Sequence, residues 1–308
     1  MNKQLASNLI LLLTSFIWGS AFVAQRAGME YIGPFTYNAI RFAMAAIVLI
    51  PLVVFTINKQ KQMSSVDRLN KKKQLIGGLI CGLILGTGST LQQIAIVYTS
   101  AGKTAFITAL YIVLVPIFGR LLHQKIRFNC WIAVVIAAVG LYLLCITQGF
   151  SIAPMDILLL VSACFWAFHL IFVDIFLMRK ANSILLAFSQ LIIAAIISLV
   201  LMLFFEFDSI KWSDIQACTV PLLYAGVLSG GIGFTLQIVG QRHSTPTVAS
   251  LILSLEAAFG AICGFIFLKE IMSSRELLGC LLMLSAVVIS QLPPLPVKKK
   301  GRLKQLLH

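Results

Sequence analysis

Charge is scarce in this chain of 308 residues: only 11% are Asp, Glu, Lys or Arg, and the acids number 10. A soluble globular protein carries about 25% charged and about 45–50% apolar residues. Here 59% are hydrophobic and the mean hydropathy is +0.98, which excludes a soluble enzyme and a disordered chain. The seven cysteines, Cys81, Cys130, Cys145, Cys164, Cys218, Cys263 and Cys280, show no CxxC or metal-ligand spacing. They read as reduced packing residues, so no disulfide scaffold, metal site or cofactor is expected. A GxxxxGK[ST] phosphate loop is missing, and with it any ATP site of the chain's own. HExxH is missing too, and the histidines (His123, His169, His243 and His308) are scattered, which weighs against an integral membrane transferase.

What the chain has is long apolar runs. A helix needs about 20 mostly apolar residues to cross the hydrocarbon core, and ten runs qualify. The first five cover 5–25, 32–57, 75–97, 104–122 and 128–147; the second five cover 153–177, 184–205, 218–240, 247–268 and 276–292. The first run follows Lys3, as in a signal peptide, but exceeds the roughly 7–15 apolar residues of one and is kept as a span. The expectation is an all-α integral membrane protein with ten transmembrane helices. Its longest polar loop lies near 58–73.

Of the 24 basic residues, eighteen fall in loops on the side of the N-terminus, five on the opposite side, and Arg41 within a span. That asymmetry predicts cytoplasmic termini. The formal charge of +14 therefore reflects loop topology, with nucleic acid excluded as a partner. The basic tail 293–308, with Lys298–Lys300, fits a topology signal or attraction to anionic lipid.

The two halves are similar to each other. Gly86-Thr87-Gly88-Ser89-Thr90-Leu91-Gln92 matches Gly231-Ile232-Gly233-Phe234-Thr235-Leu236-Gln237 at five of seven positions, 145 residues apart. The register continues without a gap: Thr99-Ser100 faces Ser244-Thr245, Leu110 faces Leu255, Gly119 faces Gly264, and Lys125-Ile126 faces Glu270-Ile271. Five spans per half is an odd number, so equivalent helices cross in opposite directions. This is an inverted repeat, the architecture of many secondary transporters. It divides the chain into 5–147, 153–292 and the tail 293–308.

These residues resemble the EamA-domain members of the drug/metabolite transporter superfamily. The likeness rests on Phe16-Ile17-Trp18-Gly19-Ser20, Arg41-Phe42, Tyr98-Thr99-Ser100-Ala101-Gly102, Ser254-Leu255-Glu256 and Lys269-Glu270. It implies a solute carrier, often an exporter of metabolites or amino acids, with a central cavity and in similar transporters a homodimer. One position departs: where relatives often carry Pro after Leu255-Glu256, Ala257 stands here, so the resemblance carries no helix break to this position. A small multidrug-type antiporter would hold an acid in span 1, and none lies between Leu5 and Gln25.

Candidate site residues are the polar and aromatic groups at mid-span. Glu256 lies roughly 14 Å into its span at 1.5 Å per residue, near the middle of a core about 30 Å thick. A carboxylate there costs about 2.5–3.5 kcal/mol, so it binds a cationic group, serves a coupling proton, or is held in a structural pair. Arg41, at similar depth, either binds a substrate carboxylate or ties helices together. Gln92 and Gln237 are repeat-equivalent amides, able to meet a polar solute or each other's helices. Trp18 and Trp166 are equivalent aromatics away from the interfacial belts, which fits a cavity wall or gate, or else packing in the core. Tyr111 occupies the position equivalent to Glu256. His169 is either a proton carrier or a packed neutral ring.

The function expected is secondary-active export or exchange of a small metabolite, such as an amino acid or related polar or amphipathic solute, across a bacterial inner membrane. A coupling proton or counter-solute and the lipid bilayer are its other partners. No Asn-x-Ser/Thr acceptor is present, in keeping with that setting. The runner-up is a lipid-linked sugar flippase.

Overall fold

Seven crossings are single helices: α1 (Lys3–Gly28), α2 (Pro34–Lys61), α3 (Lys71–Tyr98), α6 (Phe128–Cys145), α7 (Pro154–Met178), α8 (Ser183–Phe205) and α14 (Ser274–Gln291). Three are interrupted. Span 4 is α4 (Ala101–Ala109) followed by α5 (Tyr111–Leu121). Span 8, entered through the short α9 (Trp212–Ala217), runs α10 (Thr219–Leu223), a π-helix (Tyr224–Gly233) and α11 (Phe234–Gln241). Span 9 is α12 (Pro246–Leu253) and α13 (Glu256–Leu268). The computed structural model describes residues 3–61, 71–99, 101–145, 153–268 and 273–292. Ser100, Lys269, Glu270, Ile271, the middle of the 58–73 loop and the tail 293–308 lie outside the described residues.

Nine of these crossings are long and apolar enough to span a membrane, and the tenth, Phe128–Leu144, is a shorter apolar helix. The chain is thus an all-helical multi-pass membrane protein, as its hydropathy predicts. Helices prevail because lipid offers no hydrogen bonds, so each segment must satisfy its own backbone. Pro34, Pro154 and Pro246 open α2, α7 and α12, where a missing N–H costs nothing. Outward-facing residues such as Leu5, Leu9 and Leu13 of α1, or Leu277, Leu281 and Leu284 of α14, are exposed and form the surface that lipid covers.

The inverted repeat is visible in the helix pairings. Equivalent spans 5 and 10 (α6 and α14) pack on each other, as do spans 2 and 7 (α2 and α8). Span 3 packs on span 6, and its equivalent, span 8, packs on span 1. Asn8 Nδ2 donates to Gln291 Oε1 at 3.0 Å, so the first crossing begins on the side where the last one ends. At the opposite side Glu206, following α8, accepts from Phe35 N (3.1 Å), Thr36 N (2.7 Å) and Thr36 Oγ1 (2.6 Å) and caps α2. Lys103 and Asp156 join the starts of α4 and α7 through an ion pair of 2.6 Å.

Small residues set the closest approaches, as expected where lipid tails are as apolar as leucine. Where α6 crosses α14, a β-carbon on Gly140 would lie 2.7 Å from the Gly279 carbonyl oxygen, and one on Gly279 would lie 2.6 Å from that of Gly140. Only glycine fits on both sides.

Candidate functional site

All three interruptions converge on one cavity. Tyr111, Phe234 and Glu256 are each the first residue of the helix that resumes after a break, and all three line one cavity. The breaks in spans 4 and 9 fall at equivalent places, 145 residues apart. Each is a tight turn of i to i−3 hydrogen bonds: Leu110 N to Ile107 O and Val113 N to Leu110 O in one, Leu255 N to Ile252 O and Ala257 N to Ser254 O in the other. Span 9 therefore breaks although Ala257 stands in place of proline. The Ser250 and Ser254 hydroxyls bond back to Thr247 O and Leu251 O, both at 2.9 Å, which competes with the regular helical ladder.

Six of the eight candidate residues share this cavity: Trp18, Arg41, Gln92, Tyr111, Trp166 and Glu256. Both repeats contribute. The Tyr111 hydroxyl donates to Glu256 Oε1 at 3.1 Å. Gln92 Nε2 donates to Thr108 Oγ1 at 3.0 Å. Arg41 is 5% exposed, and its guanidinium carbon lies 4.7 Å from the Phe42 ring centroid and 5.9 Å from that of Tyr37. Its Nε is buried and has no hydrogen-bond partner among the described residues. Arg41 and Glu256 face one cavity but form no ion pair.

Trp18, Trp166 and Phe234 form an aromatic wall, with Trp166 stacked on Phe234 at 6.1 Å and an interplanar angle of 6°. Trp18 lies 5.0 Å from Phe234 and 6.4 Å from Trp166. Its indole Nε1 donates to Ser229 O at 3.2 Å, satisfying a carbonyl of the π-helix. Wide turns of this kind are frequent at functional sites. Gln25, Arg41 and Gln92 come from the helix halves remote from the termini, so the wall lies on the termini side of the polar groups.

Gln237 and His169 do not line the cavity. Both sit one turn beyond the wall, following Phe234 and Trp166. Gln237 Nε2 donates to Gln241 Oε1 at 2.6 Å, and His169 Nε2 meets Gln190 Oε1 at 2.9 Å. The equivalence of Gln92 and Gln237 fails in space because span 3 is α-helical where span 8 is π-helical. The wider turn changes the phase of everything after it and brings Phe234 to the cavity instead. The sequence reading missed Phe22, Gln25, Thr108, Ser229 and Phe234, all of which line it. Phe22 and Gln25 lie four and seven residues after Trp18, on the same helix face, a signal that projection of α1 would have found. Ser229 contributes a carbonyl, which no side-chain pattern announces. Among the described residues no three His, Cys, Asp or Glu side chains gather as a metal ion would require.

Two inverted five-helix repeats closing around a buried polar cavity define a multi-pass membrane transporter. The chain belongs to the EamA-like transporter family, whose model matches residues 5–146 and again 153–291. It is 28% identical over 94% of its length to an uncharacterized transporter of Archaeoglobus fulgidus, covering 87% of that protein. It is 21% identical to the uncharacterized transporter YoaV of Bacillus subtilis, over 91% of this chain and 94% of that one. An uncharacterized transporter of Clostridium kluyveri is also 21% identical, with 92% of each chain covered. One crystal structure at 16% identity superposes with a TM-score of 0.75 over 96% of this chain and 99% of its own, a likeness of fold. The family name and the names of these relatives describe transporters, not enzymes.

Proposed function

We propose that the protein is a secondary-active exporter or exchanger of a small polar or amphipathic metabolite, of which an amino acid is one example. It works by alternating access around the cavity between residues 5–147 and 153–292. The observation that carries this reading is the convergence of polar and aromatic side chains from both repeats on one buried volume, at the breaks of discontinuous helices. Such breaks expose backbone and helix ends where a substrate needs them. Glu256 holds the solute or its coupling proton, and Tyr111 orients the carboxylate. Gln92 contributes a hydrogen bond, and Trp18 and Trp166 close the termini side. Gln237 and His169 act from behind the wall, on packing or on a coupling proton and not on the solute. With the basic loops facing the cytoplasm, both termini and the tail 293–308 lie there, in a bacterial inner membrane.

The test is thermal stability of the purified protein against a metabolite panel, with Glu256→Gln beside the wild type. A ligand that binds only the folded state stabilises it by about 2.7 kcal/mol at a hundred times its Kd. The expected result is a stabilising solute whose effect falls away in the variant, and whose counterflow into proteoliposomes is lost with it. Stabilisation by lipid-linked sugars alone, with no small solute active, would overturn the reading.

A further inference from the structure

The cavity contains a buried cation that forms no ion pair among the described residues. Arg41 is 5% exposed and lines the cavity. Among the described residues no carboxylate lies within ion-pairing distance of it. Among the described residues its Nε has no hydrogen-bond partner, and its guanidinium lies against the Phe42 and Tyr37 rings. Glu256, the carboxylate of the cavity, accepts from the Tyr111 hydroxyl and forms no ion pair with Arg41. Ring faces offset only part of the hydration that a guanidinium loses on burial. A planar fork of five donors, by contrast, matches an acid group in two parallel hydrogen bonds.

From this, and resting on the transport reading above, we infer that the solute carries an acid group that seats on Arg41 while its apolar body lies against Trp18, Trp166 and Phe234. The wall supplies three aromatic faces within 6.4 Å of one another, a surface for a ring or a branched chain. The two sites are distinct: Arg41 stands two turns into α2, and the aromatic faces come from α1, α7 and α11. A solute that reached both would be amphipathic, acid at one end and apolar at the other. Whether the acid belongs to a plain carboxylate or to a zwitterion is decided by whether an amine elsewhere on the solute also matters.

Four probes that share a phenyl ring separate these cases on the wild-type protein: 3-phenylpropionate, phenylalanine, 2-phenylethylamine and 3-phenylpropanamide. Thermal stabilisation by one or both acid-bearing probes, with none from the amine or amide, is expected. Activity of 3-phenylpropionate assigns a plain acid; activity of phenylalanine alone assigns a zwitterion. The Arg41→Gln variant should weaken the active probe about 30-fold or more, as loss of one member of a buried charge pair does, and Arg41→Lys should weaken it less. Equal stabilisation by the amine or amide, or none from either acid, overturns the inference. The wild-type series decides even where Arg41→Gln fails to fold. A neutral or cationic solute found in the metabolite panel would sink the acid seat and leave the transport reading standing, whereas lipid-linked sugars alone would sink both.

Discussion

The Tyr111 hydroxyl donates to Glu256 Oε1 at 3.1 Å, joining side chains 145 residues apart that occupy the same position in the two repeats. An inverted repeat brings equivalent positions together only near its pseudo-two-fold axis, so this hydrogen bond marks where the axis passes through the cavity. Identical residues there would be Tyr against Tyr or Glu against Glu. The pair of carboxylates would repel, and the sequence breaks its symmetry at this point.

That bond should be measurable as a coupling. Tyr111→Phe removes the donor and leaves a buried acceptor unsatisfied, which costs about 1–3 kcal/mol. Glu256→Gln keeps an acceptor for the hydroxyl and should cost less. In a double-mutant cycle of Tyr111→Phe with Glu256→Leu, which removes the acceptor, read by thermal unfolding in detergent, the pair is expected to be non-additive by at least about 0.5 kcal/mol. Additive losses would show that the two residues act independently.

The two wall tryptophans should differ. Trp18 Nε1 is bonded to Ser229 O, whereas Trp166 Nε1 is buried with no partner among the described residues. Replacing Trp18 by Phe is therefore expected to cost about 0.6 kcal/mol or more, the average for a hydrogen bond within a membrane protein. Trp166→Phe removes an unsatisfied donor and should leave the unfolding temperature unchanged or higher. A larger loss at Trp166 would contradict this arrangement.

At the α6–α14 crossing, Gly140→Ala would press a methyl group onto the Gly279 backbone, which cannot rotate away. A destabilisation of about 1–3 kcal/mol is expected, as for other overpacked contacts. Gly102→Ala is the control, since nothing among the described residues lies within 4 Å of a β-carbon there, and its effect should stay within about 0.5 kcal/mol. Similar unfolding temperatures for the two variants would refute the close approach.

Glu206 caps a helix that is not its own. Glu206→Ala removes the acceptor for two backbone N–H groups and the Thr36 hydroxyl at the start of α2, a loss of about 0.5–2 kcal/mol. Glu206→Gln retains an acceptor oxygen without the negative charge that favours a helix N-terminus, and should fall between. Faster hydrogen exchange confined to the first turn of α2 would identify the cap as the cause.

Six of the cavity's residues were legible because each is costly or conspicuous where it stands. A carboxylate or guanidinium at mid-span, an amide in an apolar helix and a tryptophan away from the interface all need an interior place, whatever the neighbours. Phe22, Phe234 and Thr108 carry no such signal, because an apolar or hydroxyl side chain is as stable facing lipid or another helix. Gln237 shows the limit of repeat arithmetic: it has the same residue and register as Gln92 but a different surrounding, since a π-helical stretch intervenes in span 8.

Taken alone, the amino-acid order determined the apolar crossings, because free energies of transfer into lipid act one segment at a time, and the twofold repeat, because it is written as matching residues 145 positions apart. Tertiary structure decided the rest: where the three helices break, which way Phe234 and Gln237 turn, and that Arg41 and Glu256 share a cavity without pairing. Those depend on the packing of several helices at once, and a few tenths of a turn along one span change which side chains meet.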